Sequence, residues 1–483
     1  MITGKTLIEW GFDPKGAGKW FGDAIKYANH LHYHNGYNEE QIKAAVALMQ
    51  PAPVETLGLR TNSLPLNVYL EPESPLEQEN LDKVVETMDA LLRLPTVTAG
   101  VVMPDACPAG TIPVGGVIAT KGTIHPGFHS ADVCCSMAIT VFKREMDLSR
   151  LLDTAMYITH FGPGGRKRDP MLMSRFLTCQ FEQNRFLKDA IDLGHSNMGT
   201  QGDGNHFLYV GRLRSTGQPA IVTHHGSRGV GALIYKRGLA LAKKHTAIVS
   251  PRTPEAAAWL EADSADGEEY WEALQIARRW TKRNHFELHN AIQQAIGNAI
   301  EDRFWNEHNF VFRRNDGLFY HAKGATPSFK GFSDDDDGRT LIPMNMAEPI
   351  LITRHTDNEG ALGFAPHGAG RNLSRTQHIK NLGAEFGANQ ILHPTNIAAI
   401  LGRETPGLDI RAYSGTVDLA ELPSAYKSAE QVVRQIEKYR LAEVTDYVDP
   451  YGSIMAGEMP WDRKRRDKKE ETGGSGRADQ AVA

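Results

Sequence analysis

The sequence predicts one large α+β domain, and three observations predict it. Apolar bursts of strand length at 101–103, 118–119, 137–141, 207–210 and 221–223 lie among stretches with helical periodicity. No internal repeat is visible. No clean linker interrupts the chain before a charged terminal segment that begins at Trp461. At 483 residues the length alone allows two to four domains of about 100–200 residues each, or one domain with insertions. The composition is that of a soluble globular protein, with 23% charged residues and a net charge of -5, a balance that neither supports nor excludes a nucleic-acid partner. Four cysteines set near acids and histidines are expected as reduced thiols in a cytoplasmic protein rather than as a disulfide framework. The N-terminus has no apolar run ahead of a cleavage site, and no stretch reaches ~18 apolar residues, so neither a secreted nor a membrane-spanning protein is expected.

Taken in order, residues 1–20 read as irregular, with Pro14 among glycines. Asn38 as N-cap and Gln41 in the capping-box position predict a helix to Met49. Leu66, Val68 and Leu70 alternate as in a short strand, and Leu81, Val84, Val85, Met88, Leu91 and Leu92 recur at helical spacing up to Pro95. Residues 142–190 read as charged and helical, with the basic patch Arg166, Lys167 and Arg168 expected as a solvated turn. The segment 231–300 is helix-rich, and Ile276, Trp280, His285, Leu288, Ile292 and Ile296 form its apolar stripe; Trp280 and most of the histidines there are expected as packing or surface residues rather than ligands. Asp334 to Asp337 read as a solvated loop, and 341–352 as strand, turn, strand. Helices are predicted over 372–383 and over 430–447, the latter ended by Asp449 and Pro450. The segment from Trp461 has little to bury and is expected to be disordered.

The chemistry concentrates at strand ends and glycine turns. The stretch 102–137 holds Asp105, Cys107, His125, His129, Asp132, Cys134 and Cys135. Asp132 and Cys135 are three apart, so one turn can aim both at a common point. A carboxylate beside a thiolate suits a borderline ion such as zinc or manganese better than calcium. Gly202 and Gly204 precede Asn205 and His206 at the start of a strand, and a second buried strand runs into His224, Gly226 and Arg228. His308 with Asn309, Lys323, and the run His367 to Arg371 follow. One histidine of nineteen is more often structural, but several that each follow a strand or a glycine turn can furnish one two-metal site or two adjacent ones. Arg228, Lys323 and Arg371 suit phosphate oxygens, and a helix N-terminus after Arg371 would add backbone amides. Metal-assisted phosphoryl or nucleotidyl transfer is the reading.

These motifs, GNHF, HHGSRG and HGAGRNLSR in that order, resemble those of the RtcB-type RNA ligases over roughly 95–457. That family joins a 3'-phosphate or 2',3'-cyclic phosphate end to a 5'-hydroxyl end with GTP and manganese. The resemblance implies a single α+β domain with mixed sheets around a central metal cleft, 51–457, preceded by an extension, 1–50, and followed by a tail, 458–483. It implies His367 as the guanylylated nucleophile, and two Mn2+ ions held by Asp132, Cys135, His206, His224 and His308, with Cys135 bridging. It further implies Asn205, Phe207, Arg228, Lys323, Ala369, Arg371 and Tyr426 as nucleotide or phosphate contacts, Asp105 and Cys107 as second-shell residues, and RNA as partner. The chain departs from the pattern at Tyr209, where the family has an acid for the guanine ring, and near Met455 and Ala456, where its closing lysine is missing. Cys107 replaces a histidine, Met344, Asn345 and Met346 replace a glycine-serine-methionine turn, and Ala322 an arginine. The alternatives are a metal-dependent relative in RNA end processing or repair with another nucleotide or end, and a non-catalytic RNA-binding relative.

Overall fold

The computed structural model describes residues 1–14, 19–50, 56–166 and 170–458. Two sheets organise it, as an α+β fold. The five-stranded sheet runs Leu66–Val68, Val97–Cys107, Val114–Lys121, Leu318–Lys323, Asn309–Arg313, with its first pair parallel and the rest antiparallel. The larger sheet has the path Arg339–Ile342, Ile350–Arg354, Glu443–Met455, Phe207–Leu213, Pro219–His225, Ser136–Phe142, Ile300–Glu307, and Asp409–Ala412 joins Glu443–Met455 as an eighth, parallel strand. Its two ends approach each other. The Asn306 side chain accepts from the Leu341 amide at 2.8 Å and donates to the Leu341 carbonyl at 3.2 Å, standing in for a ladder pair. Arg339 binds Asp302 at 2.5 and 3.1 Å beside it, so the sheet is nearly closed.

The helix Ala265–Ile296 is 32 residues long, capped by Ser264 and stopped at Gly297, whose φ of 66° an L side chain rarely adopts. Ile276, Trp280, Leu288 and Ile292 are buried along it, and so are His285 and His289, which pack as expected. The helix Glu39–Ala47 begins at the predicted Asn38/Gln41 capping box.

Several boundaries differ from the sequence reading. Residues 1–20 are not wholly irregular: Thr3 and Thr6 form a capping box for a helix Gly4–Glu9, which packs with Trp20–His34 and Glu39–Ala47 around Leu7, Trp20, Leu31 and Ile42. The predicted helix 430–447 stops at Lys438. Arg440 takes a left-handed φ of 50° and the Leu441 amide returns to the Ile436 carbonyl at 2.9 Å. The residues beyond are a strand whose first half, 443–448, pairs with Ile350–Arg354 and whose second half, 448–455, pairs with Phe207–Leu213, and Pro450 fits because it falls at a register shift. The helix after Arg371 spans Arg375–Phe386, because Ser374 and not Asn372 is its cap. Among the four aspartates of the expected solvated loop, Asp336 turns inward and accepts from the Gly331 and Gly338 amides at 2.7 and 2.8 Å. Lys167, Arg168 and the tail from 459 lie outside the described residues. Among the described residues no helix is long and apolar enough to cross a membrane.

Burial lowers His125 to about 3, His129 to about 4 and His289 to about 3. Each is neutral when folded at pH values where an unfolded histidine, near 6.5, is charged. Unfolding therefore takes up protons between those limits, and stability falls as pH drops below about 6.5. Near pH 5 these three groups alone contribute a slope of about 4 kcal/mol per pH unit. Denaturant melts at a series of pH values check this; a midpoint that stays flat down to about pH 5 contradicts it.

Candidate metal centre and its histidine neighbour

The site forms at the seam between the two sheets. Ile300–Glu307 belongs to the larger sheet and Asn309–Arg313 to the smaller, and His308 is the one residue between them. The His308 amide donates to the Cys135 carbonyl at 2.9 Å, and the Cys134 amide donates to the Asn309 carbonyl at 2.7 Å. The turn 132–135 is thereby clamped across the seam, with Cys134 at a left-handed φ of 60°. Strand pairing brings the other donors in: Phe207 and Met137 both lie opposite His224, so His206 and Cys135 arrive at the same end of the sheet.

The side chains converge. Cys135 Sγ is 3.4 Å from His206 Nε2 and 3.2 Å from His224 Nε2. His206 Nε2 is 3.1 Å from Asp132 Oδ2, and His224 Nε2 is 3.1 Å from His308 Nε2. Two groups result, Asp132 with Cys135 and His206, and Cys135 with His224 and His308, each with its ligand atoms within 4.8 Å of one another. They share the thiol. Gly226 is required here, because a Cβ on it would lie 1.9 Å from Asp132 Oδ1.

Burial first, then the neighbouring His206 and His367, hold His224 well below the usual histidine range; burial does the same for His308. Both are neutral, as ligands must be. The Asn205 carbonyl, 3.2 Å from His224 Nδ1, takes the ring proton and leaves the Nε2 lone pair facing the thiol. Burial, and after it Asp132, pushes the Cys135 thiol well up. Burial would raise Asp132 too, but His206, Cys135 and Arg228 together outweigh it and its carboxyl is lowered. One carboxylate, one thiol and three imidazoles aimed at two points fit a pair of borderline divalent ions, and His206 Nδ1 and His308 Nδ1 are buried without a partner. Cys107 is in neither group; it is half-buried, and burial raises its thiol.

His367 stands next to this centre, its ring 4.8 Å from that of His308. Its Nδ1 lies 2.6 Å from Asp105 Oδ2, and its backbone amide donates to the same oxygen at 3.1 Å. The same carboxylate oxygen accepts from the amide and faces the ring nitrogen, so Nδ1 is the donor to it and Nε2 keeps the lone pair. Gly370, with φ 73°, lets the loop close on that aspartate: a Cβ there would be 1.9 Å from the Asp105 carbonyl oxygen.

The expected phosphate contacts are less uniform. Arg228 takes a left-handed φ of 56° and donates to the Gly162 carbonyl at 3.0 Å, while its buried Nε has no partner. Burial lowers Lys323, whose strand leads into Gly324 against the His367 ring. Asn205 is exposed, Ala369 is buried, and the Phe207 ring lies 5.3 Å from that of His224. Arg371 is held elsewhere: its three nitrogens donate to the Leu373 and Ala420 carbonyls and to Glu421. Tyr426 donates to Glu421 at 2.6 Å, and Arg375 at 2.5 Å. Burial alone would raise the Glu421 carboxyl, but the Arg375 and Arg371 charges hold it at about 2. The sequence reading assigned no role to Glu421 or Arg375. Arg375 stood in the quoted HGAGRNLSR motif, whereas nothing near Glu421 distinguished it from other acids. The Tyr209 hydroxyl is used internally, donating to the Val448 carbonyl at 3.0 Å. A cavity of about 300 Å³ between Met344, Glu348, Leu351, Val433 and Tyr447 contains none of these ligands.

With this geometry in place, comparison with known proteins gives the class. The sequence model of the family described as tRNA-splicing ligase RtcB matches residues 164–456, and the chain belongs to the RtcB family. The match takes in His206, His224, His308 and His367, while Asp105, Asp132 and Cys135 lie ahead of it. The chain is similar to RNA-splicing ligase RtcB2 of Escherichia coli (strain ATCC 25922), 26% identical over 379 residues that cover 72% of this chain and 86% of the relative. It is 24% identical to tRNA-splicing ligase RtcB of Archaeoglobus fulgidus over 430 residues, 73% of this chain and 87% of that one. RNA-splicing ligase RtcB of Escherichia coli (strain K12) is 25% identical over 422 residues, 78% and 94% of the two chains.

Glu421→Ala removes the anion that Arg371, Arg375 and Tyr426 share, leaving Arg371 uncompensated. The expected loss is on the order of 3–5 kcal/mol of stability, read by chemical denaturation.

Proposed function

We propose that this chain is an RNA ligase that joins a 3'-phosphate or 2',3'-cyclic phosphate end to a 5'-hydroxyl end in the cytoplasm, using GTP and two divalent ions, manganese foremost. The observation that carries the reading is the His367–Asp105 pair beside two ligand groups that share Cys135. Family membership and relatives named as RNA ligases support it.

In this reading a cyclic end is first opened to the 3'-phosphate. His367 Nε2, neutral and unprotonated, attacks the α-phosphorus of GTP; a P–N bond forms and pyrophosphate leaves with the electrons of the broken P–O bond. The ring becomes cationic, and the buried Asp105 carboxylate stabilises that charge through Nδ1–H. An oxygen of the RNA 3'-phosphate then takes the GMP and releases neutral His367. Attack of the 5'-hydroxyl on the activated phosphorus expels GMP and makes the phosphodiester. Asn205, Arg228 and Lys323 hold phosphate oxygens through these steps. Ions in the two groups would neutralise phosphate charge, with Asp132, Cys135 and His206 holding one and Cys135, His224 and His308 the other.

A second reading, another nucleotide in place of GTP, is favoured by Tyr209, whose hydroxyl is committed to Val448 and offers guanine no pair of acceptors. Incubating Mn2+-loaded protein with α-labelled GTP or ATP separates the two. A GMP adduct mapped to His367 by mass spectrometry, absent from His367→Ala, is the expected result; an AMP adduct supports the second reading, and no adduct with these or with labelled CTP or UTP overturns both. Asp105→Asn should slow adduct formation at least about 10-fold, since the partner that orients the ring and bears its charge is lost.

A further inference from the structure

Beneath the strand ends that deliver Cys135 and His224, the contact with the helix Ala265–Ile296 is polar. Ser136, Thr140, Thr223, His285 and His289 meet there, each 0% exposed. Ser136 follows Cys135 and Thr223 precedes His224, while His285 and His289 share a helix face by their spacing of four.

Their contacts form one chain, and its direction follows from an inventory of donors and acceptors. Ser136 Oγ is 3.3 Å from the His225 carbonyl oxygen, which can only accept, so the serine proton goes there. His285 Nε2, 3.0 Å from the same Oγ, must donate to it. His285 Nδ1 then has a lone pair and accepts from the Thr223 hydroxyl at 2.6 Å. Thr223 has spent its proton, so His289 Nε2 donates to Thr223 Oγ1 at 2.8 Å. His289 Nδ1 accepts from the Thr140 hydroxyl, also at 2.8 Å. One arrangement satisfies every group: both imidazoles neutral, both protonated on Nε2.

Neither end of the chain is reactive, since it runs from a threonine hydroxyl to a backbone carbonyl. It therefore carries position, not protons. Sliding either strand or turning the helix would leave buried donors and acceptors unpaired, a loss that an apolar contact of the same shape would not impose.

We infer that Thr223, His285 and His289 are positioning residues, which lock Ser136–Phe142 and Pro219–His225 against the helix and so fix the spacing of Cys135 Sγ and His224 Nε2. The inference rests on the metal-centre reading above and extends it to a polar layer on the opposite face of the sheet.

Cobalt(II), whose thiolate charge-transfer and d–d bands report ligand type and geometry, is the probe. It is titrated into metal-free full-length wild type, Thr223→Val and Thr223→Ser. Valine keeps the shape and removes both hydrogen bonds of Thr223, whereas serine keeps the hydroxyl. The expected result is a loss of cobalt affinity of about 10–100-fold with altered d–d bands in Thr223→Val, and recovery of both in Thr223→Ser. Wild-type affinity and spectrum in a folded Thr223→Val protein overturn the inference and leave the metal centre standing. No thiolate–cobalt band in wild type overturns the metal centre itself, and the inference with it. If Thr223→Val does not fold, nitrogen-15 NMR of the wild-type imidazoles decides: neutral Nε2–H tautomers at His285 and His289 support the chain, and a charged ring or an Nδ1–H tautomer at either refutes it.

Discussion

Two backbone hydrogen bonds at the seam, from His308 to Cys135 and from Cys134 to Asn309, hold the site together. A single residue separates the last strand of one sheet from the first of the other, so His308 cannot move without shearing both. Cys135 has the same restraint from its own side, since its strand begins at the next residue. A donor set built this way needs no flexible loop to assemble it. The sheets are the scaffold, and the ligands stand where the sheets are forced to meet.

The interior also carries networks of paired polar side chains. His125 contacts Thr96 and the Ala257 carbonyl, and its amide donates to His321. Ser136, Thr223 and the helix histidines form a second network. Such groups add little net stability over apolar packing, but they penalise every arrangement except one. That is useful where a displacement of a fraction of an ångström changes what can be bound.

Much of the architecture was legible in the sequence because it is written in local pattern. The Asn38/Gln41 cap, the Leu81-to-Leu92 stripe, and the bursts that became Val97–Cys107, Val114–Lys121 and Ser136–Phe142 are periodicities a short window detects. Residue type after strands and glycine turns pointed to Asp132 and Cys135 with several histidines, and the resemblance to the family implied that His206, His224 and His308 are the ones that join them. What stayed hidden depends on partners far away in the chain. Glu421 matters because it meets Arg371 and Arg375, some fifty residues away, and Asn306 because it faces Leu341. Residues 443–447, the start of the strand Glu443–Met455, were misread as helix because Val433, Ile436, Leu441 and Val444 fit a helical stripe, and only pairing with the distant strand Ile350–Arg354 overrides that local preference.

The amide of Asn306 has a consequence for how copies of this protein behave together. A sheet with open margins offers rows of unsatisfied amides and carbonyls onto which another chain can add a strand. Here one margin is turned toward the other, and the side chain of Asn306 occupies the donor and acceptor of Leu341 at the place where they face. The bidentate Arg339–Asp302 pair guards the next step along the same gap. Near-closure thus turns these two margins of the largest sheet toward each other rather than outward, and a polar side chain, rather than a ninth strand, seals the gap.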